Sequence, residues 1–264
     1  MPFTLSHPAA VLPLLRHPFS AAALVAGAVA PDLPYFARST PIPVSAQSWY
    51  EPYMNATTSH GLAGALTVSL PYALVLCGLF WVARRPVGAL LPDVAAPRRA
   101  EPGGPGAFLR RGGWVLLSLL IGIATHLVWD SFTHSDGHVV MNVPLLSEPL
   151  LGDLTWARAL QHVSTLGGLL VIAVYLWRHR SRVLPRTAAG RRGAWRLLWI
   201  IVGVAAVGAV ASTLEWWGAA ELPARDLVEA VLSDAAIGAI AAVIAGLFLY
   251  VAGWWMARAV GARR

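Results

Sequence analysis

The chain predicts an all-α fold, a polytopic bundle of about five transmembrane helices preceded by a re-entrant or short helical hairpin. Three observations carry this reading. First, 57% of the 264 residues are hydrophobic and only 12% are charged, with a mean hydropathy of +0.60; soluble globular chains carry about twice that charge. Second, the apolar residues fall into runs long enough to cross a bilayer. Third, the arginines alternate between heavily and lightly charged loops, as the positive-inside rule requires of a multi-pass protein.

The first element is a pair of short helices over 6–15 and 19–30, with Ser6 as a plausible N-cap and a turn at Arg16-His17-Pro18. The second stretch is roughly 18 Å long as a helix and meets the helix-stopping Pro31-Asp32-Leu33-Pro34, so it is too short to span alone. Arg16 ahead of it and Ala28-Val29-Ala30 at its end resemble a signal peptide with a cleavage site, but Pro31 directly after argues against cleavage. A hairpin tucked into the bundle or the interface fits better, because non-spanning backbone must be covered by protein.

The polar segment 38–59, with Trp49, Tyr50 and Tyr53, then reads as an interfacial loop or lid. Runs 62–83, 114–132, 162–177, 195–211 and 235–257 each read as a spanning helix, and the Pro/Gly/Arg-rich 95–106 as a flexible connector. Glu215 beside Trp216 and Trp217 reads as an interfacial anchor. One integral membrane domain results, with a hairpin (1–36), core spans (62–177) and two C-terminal spans (195–257).

Segment 84–113 holds six arginines, 178–196 holds seven and the tail from Arg258 holds three, whereas the alternate loops hold one each: Arg38, Arg158 and Arg225. This predicts cytoplasmic basic loops and a cytoplasmic C-terminus in a bacterial-type inner membrane. The net charge of +7 comes from 20 arginines without a lysine. Placed in blocks between apolar runs, they suit anionic lipid headgroups and exclude a nucleic-acid surface. The one cysteine, Cys77, lies in an apolar run, which excludes a disulfide framework or thiolate metal site.

The strongest chemical signal is Thr125-His126-Leu127-Val128-Trp129-Asp130-Ser131-Phe132-Thr133-His134. Its His126, Asp130 and His134 recur every four residues, and each such step advances about 400° around a helix, so all three project along one stripe. Their insertion cost of about 2.5–3.5 kcal/mol per mid-membrane charge demands compensation. That compensator is either a metal ion or, on the plainer reading, a buried hydrogen-bonded pair or proton relay. His60 directly precedes the first full span, Asp32 closes the short apolar stretch, and His7 starts the hairpin. Individually these read as a helix cap, an Asx-type turn and an interfacial residue. Together they bring imidazole and carboxylate groups to the non-cytoplasmic end of the helix that carries His126. His162, at the start of the next span, is a further candidate ligand or supporting donor. His138 reads as solvent-facing, and His17 and His179 as structural.

The opening MPFTLSHPAAVLPL, the segment ALVAGAVAPDLPYF, TTSHG before a span and THLVWDSFTH resemble the bacterial membrane proteins grouped as domain-of-unknown-function family 4184. That group is similar in pattern to inner-membrane proteins labelled metal-dependent hydrolases. The resemblance covers the chain to about Trp177 and implies His7, Asp32, His60, His126 and Asp130 as metal-site residues, with His134 extending this chain's own pattern. The H-x3-D helix is also similar to the H-x3-E helix of zinc-dependent phospholipases C, with Asp130 in place of Glu.

A His and carboxylate set without Cys suits Zn²⁺, with Mn²⁺, Fe²⁺ or Ni²⁺ as alternatives, and five candidates leave room for one ion or two. His126 and Asp130 are then candidate catalytic residues, and an open position would activate water for hydrolysis of an amphiphilic or lipid-linked (phospho)ester. Membrane lipid is the expected partner, with Trp129, Trp49 and Tyr53 shaping an entrance. The competing class is a non-enzymatic membrane protein with a structural metal or an ion-relaying polar cluster.

Overall fold

The structure, a computed structural model, describes residues 4–38, 42–90, 104–180, 187–214 and 224–261. Most of 95–106, together with Glu215, Trp216 and Trp217, lies outside the described residues, as does the side chain of Arg225. The fold is all-α, and five helices are long and apolar enough to cross a membrane: Leu62–Leu90, Pro105–Thr133, Trp156–Arg178, Gly190–Thr213 and Ala230–Gly261. Each contains or extends one of the apolar runs. A helix outlasts its apolar run because its backbone bonds continue into polar flanks where water can reach the side chains.

Chain contacts divide the protein into two compact units, Met1–Phe80 with Arg98–His179, and Trp81–Pro97 with Arg180–Arg264. The first begins with a 3-10 helix, Thr4–Leu14, followed by α1 (Ala21–Val29), a 3-10 turn (Ala30–Asp32) and α2 (Leu33–Arg38). Two expectations are corrected here. Pro8 and Pro13 interrupt α-helical bonding in the opening piece, so it winds as 3-10, with Ser6 inside it rather than capping it. Pro31-Asp32-Leu33-Pro34 tightens the chain without stopping it, since each proline falls in a first turn, where its missing N–H is not needed.

The segment expected as a loop before the first span also holds a 3-10 turn, Glu51–Met54, and α3, Ala56–His60, capped by the Asn55 side chain. Gly61 breaks the axis, after which α4 (Leu62–Gly64), a π-helical stretch (Ala65–Ser69) and α5 (Leu70–Leu90) form the first span. Then come α6 (Pro105–Thr133), α7 (His138–Asn142), α8 (Pro144–Ser147), a two-stranded hairpin of β1 (Pro149–Leu151) and β2 (Leu154–Thr155), and α9 (Trp156–Arg178).

The core of this unit is made of small residues. Ala23, Ala26, Ala30, Ala73, Cys77, Leu119 and Ile123 are buried together. Cys77 is therefore packing, as its apolar surroundings predict. Outward faces remain apolar: Val163, Leu166 and Leu170 of α9 are 68%, 71% and 64% exposed. Water would penalise such a surface, whereas acyl chains match it.

In the second unit α10 (Ala188–Thr213) packs on α11 (Ala224–Gly261), and Ser212 Oγ donates to the Asp234 carbonyl at 2.7 Å. The Tyr250 hydroxyl and Trp255 Nε1 donate to the carbonyls of Pro86 and Val82 at the end of α5.

Candidate metal centre

The site is built on the crossing of α1 and α6. A Cβ on Gly27 would overlap the Leu119 carbonyl, and one on Gly122 the Leu24 carbonyl, so only glycine permits this backbone-to-backbone approach. The crossing brings the Ala28 carbonyl within 2.7 Å of His126 Nδ1. A carbonyl oxygen can only accept, so Nδ1 carries the proton and the Nε2 lone pair faces inward.

His60 is fixed in the same way. Its Nδ1 donates to the Ala56 carbonyl one turn back at 2.8 Å, so that Nε2 faces His126 and Asp130. Its neighbour Ser59 is buried and donates to the Pro31 carbonyl at 2.6 Å, locking α3 onto the turn that carries Asp32. Ser69 Oγ in turn donates to the Ser59 carbonyl at 2.8 Å.

One donor atom from each of Asp32, His60, His126 and Asp130 lies within 4.8 Å of every other. His60 Nε2 is 3.2 Å from His126 Nε2, 3.1 Å from Asp130 Oδ2 and 3.5 Å from Asp32 Oδ1. His126 Nε2 is 3.1 Å from Asp130 Oδ2 and 3.4 Å from Asp32 Oδ1. A tetrahedral ion with bonds of about 2.0–2.2 Å has ligand-to-ligand edges of about 3.3–3.6 Å. Two of the five edges, 3.4 and 3.5 Å, fall in that range, and the other three lie 0.1–0.2 Å below it. In the neutral rings both Nε2 atoms are lone-pair acceptors, so their approach to 3.2 Å requires a cation between them, either a proton or a metal ion.

Two further histidines abut the set. His7, 1% exposed, stacks on His126 with ring centroids 3.8 Å apart and planes 20° from parallel. Its Nε2 lies 3.5 Å from Asp130 Oδ1. His134 Nδ1 lies 3.5 Å from Asp130 Oδ2, although α6 ends at Thr133 and His134 has extended backbone. The helical stripe therefore holds for His126 and Asp130, while a helix cap positions His134. Among the described residues, both ring nitrogens of His7, Asp130 Oδ1 and His134 Nδ1 are buried without a hydrogen-bond partner.

Outside the spans, charge is set by the same contacts. Burial, reinforced by His126, pushes His7 down to about 4, so it is neutral at pH 7. Burial also opposes charge on His60, but hydrogen bonds to Asp130 and Asp32 outweigh it and carry the imidazole up to about 10. For Asp32 burial again opposes the charge, and hydrogen bonds from His126 and His60 hold the carboxyl well below the usual range, with Thr4 adding to them.

All six expected residues thus meet in the first unit, four as a mutually close set and His7 and His134 beside it. His162 is exposed on α9, well past its start at Trp156, and is not among the converging groups. His138 and His17 are exposed, and His179 caps α9 by bonding to the Tyr175 carbonyl. Trp129 stands edge-on to His7 and donates to Ser164 Oγ, whereas Trp49 is 83% exposed. Tyr53 accepts a bond from Tyr72 through its carbonyl.

Residue-level reading of the sequence missed Tyr35 and Thr4. Tyr35 lies edge-on to His60 at 6.3 Å, and burial followed by Asp32 and Asp130 raises its phenol. The available signal was spacing: Tyr35 is three residues beyond Asp32 and Thr4 three before His7, one turn of a 3-10 or α-helix each.

No curated protein and no solved structure matches the chain. A family model described as domain of unknown function DUF4184 matches residues 1–252, which takes in both glycines of the crossing, every donor of the centre and all but the end of the last helix. The chain belongs to the DUF4184 family.

Proposed function

We propose that the protein is a membrane-embedded, metal-dependent hydrolase of an amphiphilic or lipid-linked (phospho)ester, with its centre at the non-cytoplasmic face. The observation that carries this reading is the set of inward-facing donors from Asp32, His60, His126 and Asp130 at ion-binding separations. Two histidines and two carboxylates without cysteine match the donors of hydrolytic zinc or manganese sites better than the thiolate sets of structural zinc. When bound, such an ion lowers the pKa of coordinated water to about 7 and polarises an ester or phosphoryl oxygen. Ala28 and Ala56 hold the two imidazoles in register, and Asp130 would offer Oδ2 to the ion.

Location supports an amphiphile. His60 directly precedes one candidate span and Asp130 lies one turn from the end of another, which supports a centre near headgroup depth. A largely open, apolar cavity of about 640 Å³ lies between the N-terminal 3-10 helix, α6 and α9, and its lining includes Trp129, whose ring stands edge-on to His7. That volume lies within the range of about 300–1,000 Å³ typical of small-ligand sites. Acyl or isoprenoid carbon would occupy the cavity while the polar group meets the ion. Anionic headgroups would also match the arginine-rich loops on the opposite, cytoplasmic side.

Detergent-purified protein screened on phosphoester and lipid substrates should show turnover that vanishes with chelator and returns with Zn²⁺ or Mn²⁺. Asp130→Asn should lower it by at least about 10²-fold while the protein stays folded. Turnover unaffected by chelator refutes the reading. One observation favours a structural ion instead: four protein donors can close a tetrahedral zinc site. In that case chelation unfolds the protein and no substrate is turned over.

A further inference from the structure

The four-donor set leaves part of the centre unused. Asp130 Oδ2 faces His60 and His126, while its other oxygen, Oδ1, is turned 3.5 Å from His7 Nε2. Oδ1 and both His7 nitrogens are buried without a hydrogen-bond partner among the described residues. Leaving such groups unsatisfied is costly, because each loses its hydrogen bonds to water without replacement. Packing alone would be served by an apolar ring at position 7.

The separation of 3.5 Å between Nε2 and Oδ1 is the edge expected of two ligands on one ion with bonds of about 2.0–2.2 Å. The stack supplies a second, independent distance. His7 and His126 lie nearly parallel at 3.8 Å, so ions bound in the two ring planes would be separated by about the same amount. Paired catalytic ions sit about 3.5–4 Å apart. One carboxylate whose two oxygens each meet one of two stacked imidazoles has the form of a bridging ligand.

We infer that the centre takes a second divalent ion, held by His7 Nε2 and Asp130 Oδ1, with Asp130 bridging it to the first. This rests on the reading of the four-donor set as a metal centre and adds to it the nuclearity and the role of His7. Two protein donors leave most of the second ion's coordination to solvent or substrate oxygens, so it binds more weakly than the first. A phosphoryl group is the substrate class that such a pair serves best, since it offers oxygens to both ions at once.

The test is to strip the full-length protein in detergent, titrate it with Mn²⁺, and follow bound metal by mass spectrometry and electron paramagnetic resonance. The wild type should take up two ions per chain, the second at higher concentration, and develop a spin-coupled spectrum. His7→Ala should stop at one ion with an isolated-ion spectrum. His7→Phe, which keeps a ring stacked on His126 but has no nitrogen, should do the same and serves as the readout if the alanine variant does not fold. Saturation of the wild type at one ion, or two coupled ions in His7→Phe, would overturn the inference. One ion with chelator-sensitive turnover would remove the second ion alone, whereas no bound ion at all would remove the metal centre too.

Discussion

The two nitrogens of His126 do different work, and that division explains why an imidazole is needed there. Nδ1 is committed to the Ala28 carbonyl, which orients the ring and leaves Nε2 as the donor. His60 repeats the arrangement, and its raised pKa keeps a second proton on the ring at neutral pH. A metal ion must displace that proton. Apparent affinity should therefore rise about tenfold per pH unit through neutrality and level off as pH approaches the His60 value near 10. Calorimetry in buffers of different ionisation enthalpy should register at least one proton released per first ion bound, and a flat pH profile would contradict it. His7, already neutral, adds nothing to that count. His126 and Asp130 were legible from their spacing alone because four residues is a helical turn. The orientation of each ring was not legible, because the carbonyls that set it, Ala28 and Ala56, belong to backbone that any residue supplies.

At the scale of elements, the centre depends on how closely α1 meets α6. Ala23, Ala26 and Ala30 line the contact, and Gly27 against Gly122 sets its distance. Gly122→Ala should push the helices apart, cost roughly 1–3 kcal/mol, and reduce metal content by moving Ala28 and Asp32 away from His126. Thermal unfolding and elemental analysis measure both effects. Gly113→Ala, on the same helix with open space around it, is the control and should be neutral or slightly stabilising. Unchanged metal content in Gly122→Ala would show that the crossing does not position the site. The five spans were readable from apolar run length, yet this crossing was not. Small residues read as filler until the partner helix is known, and the prolines at 31 and 34 look like helix stops until each is seen in a first turn.

For the whole molecule, the outstanding property is orientation, which rests on loop arginine counts of six, seven and three against one, one and one. Reporter fusions after Ala95 and Arg186 should read cytoplasmic, and fusions after Gly137 and Ala220 should read external. The reverse pattern would move the centre to the inner face. One consequence of the described site reaches back to synthesis. His7, Asp32 and His60 leave the ribosome well before their partners, since 66 residues separate His60 from His126. At about 5–20 residues per second, that interval lasts roughly 3–13 s. The early donors precede their partners by that interval, and only synthesis of α6 completes the set. An ion held by the proposed centre would therefore arrive late, sealing a nearly finished N-terminal half rather than nucleating it.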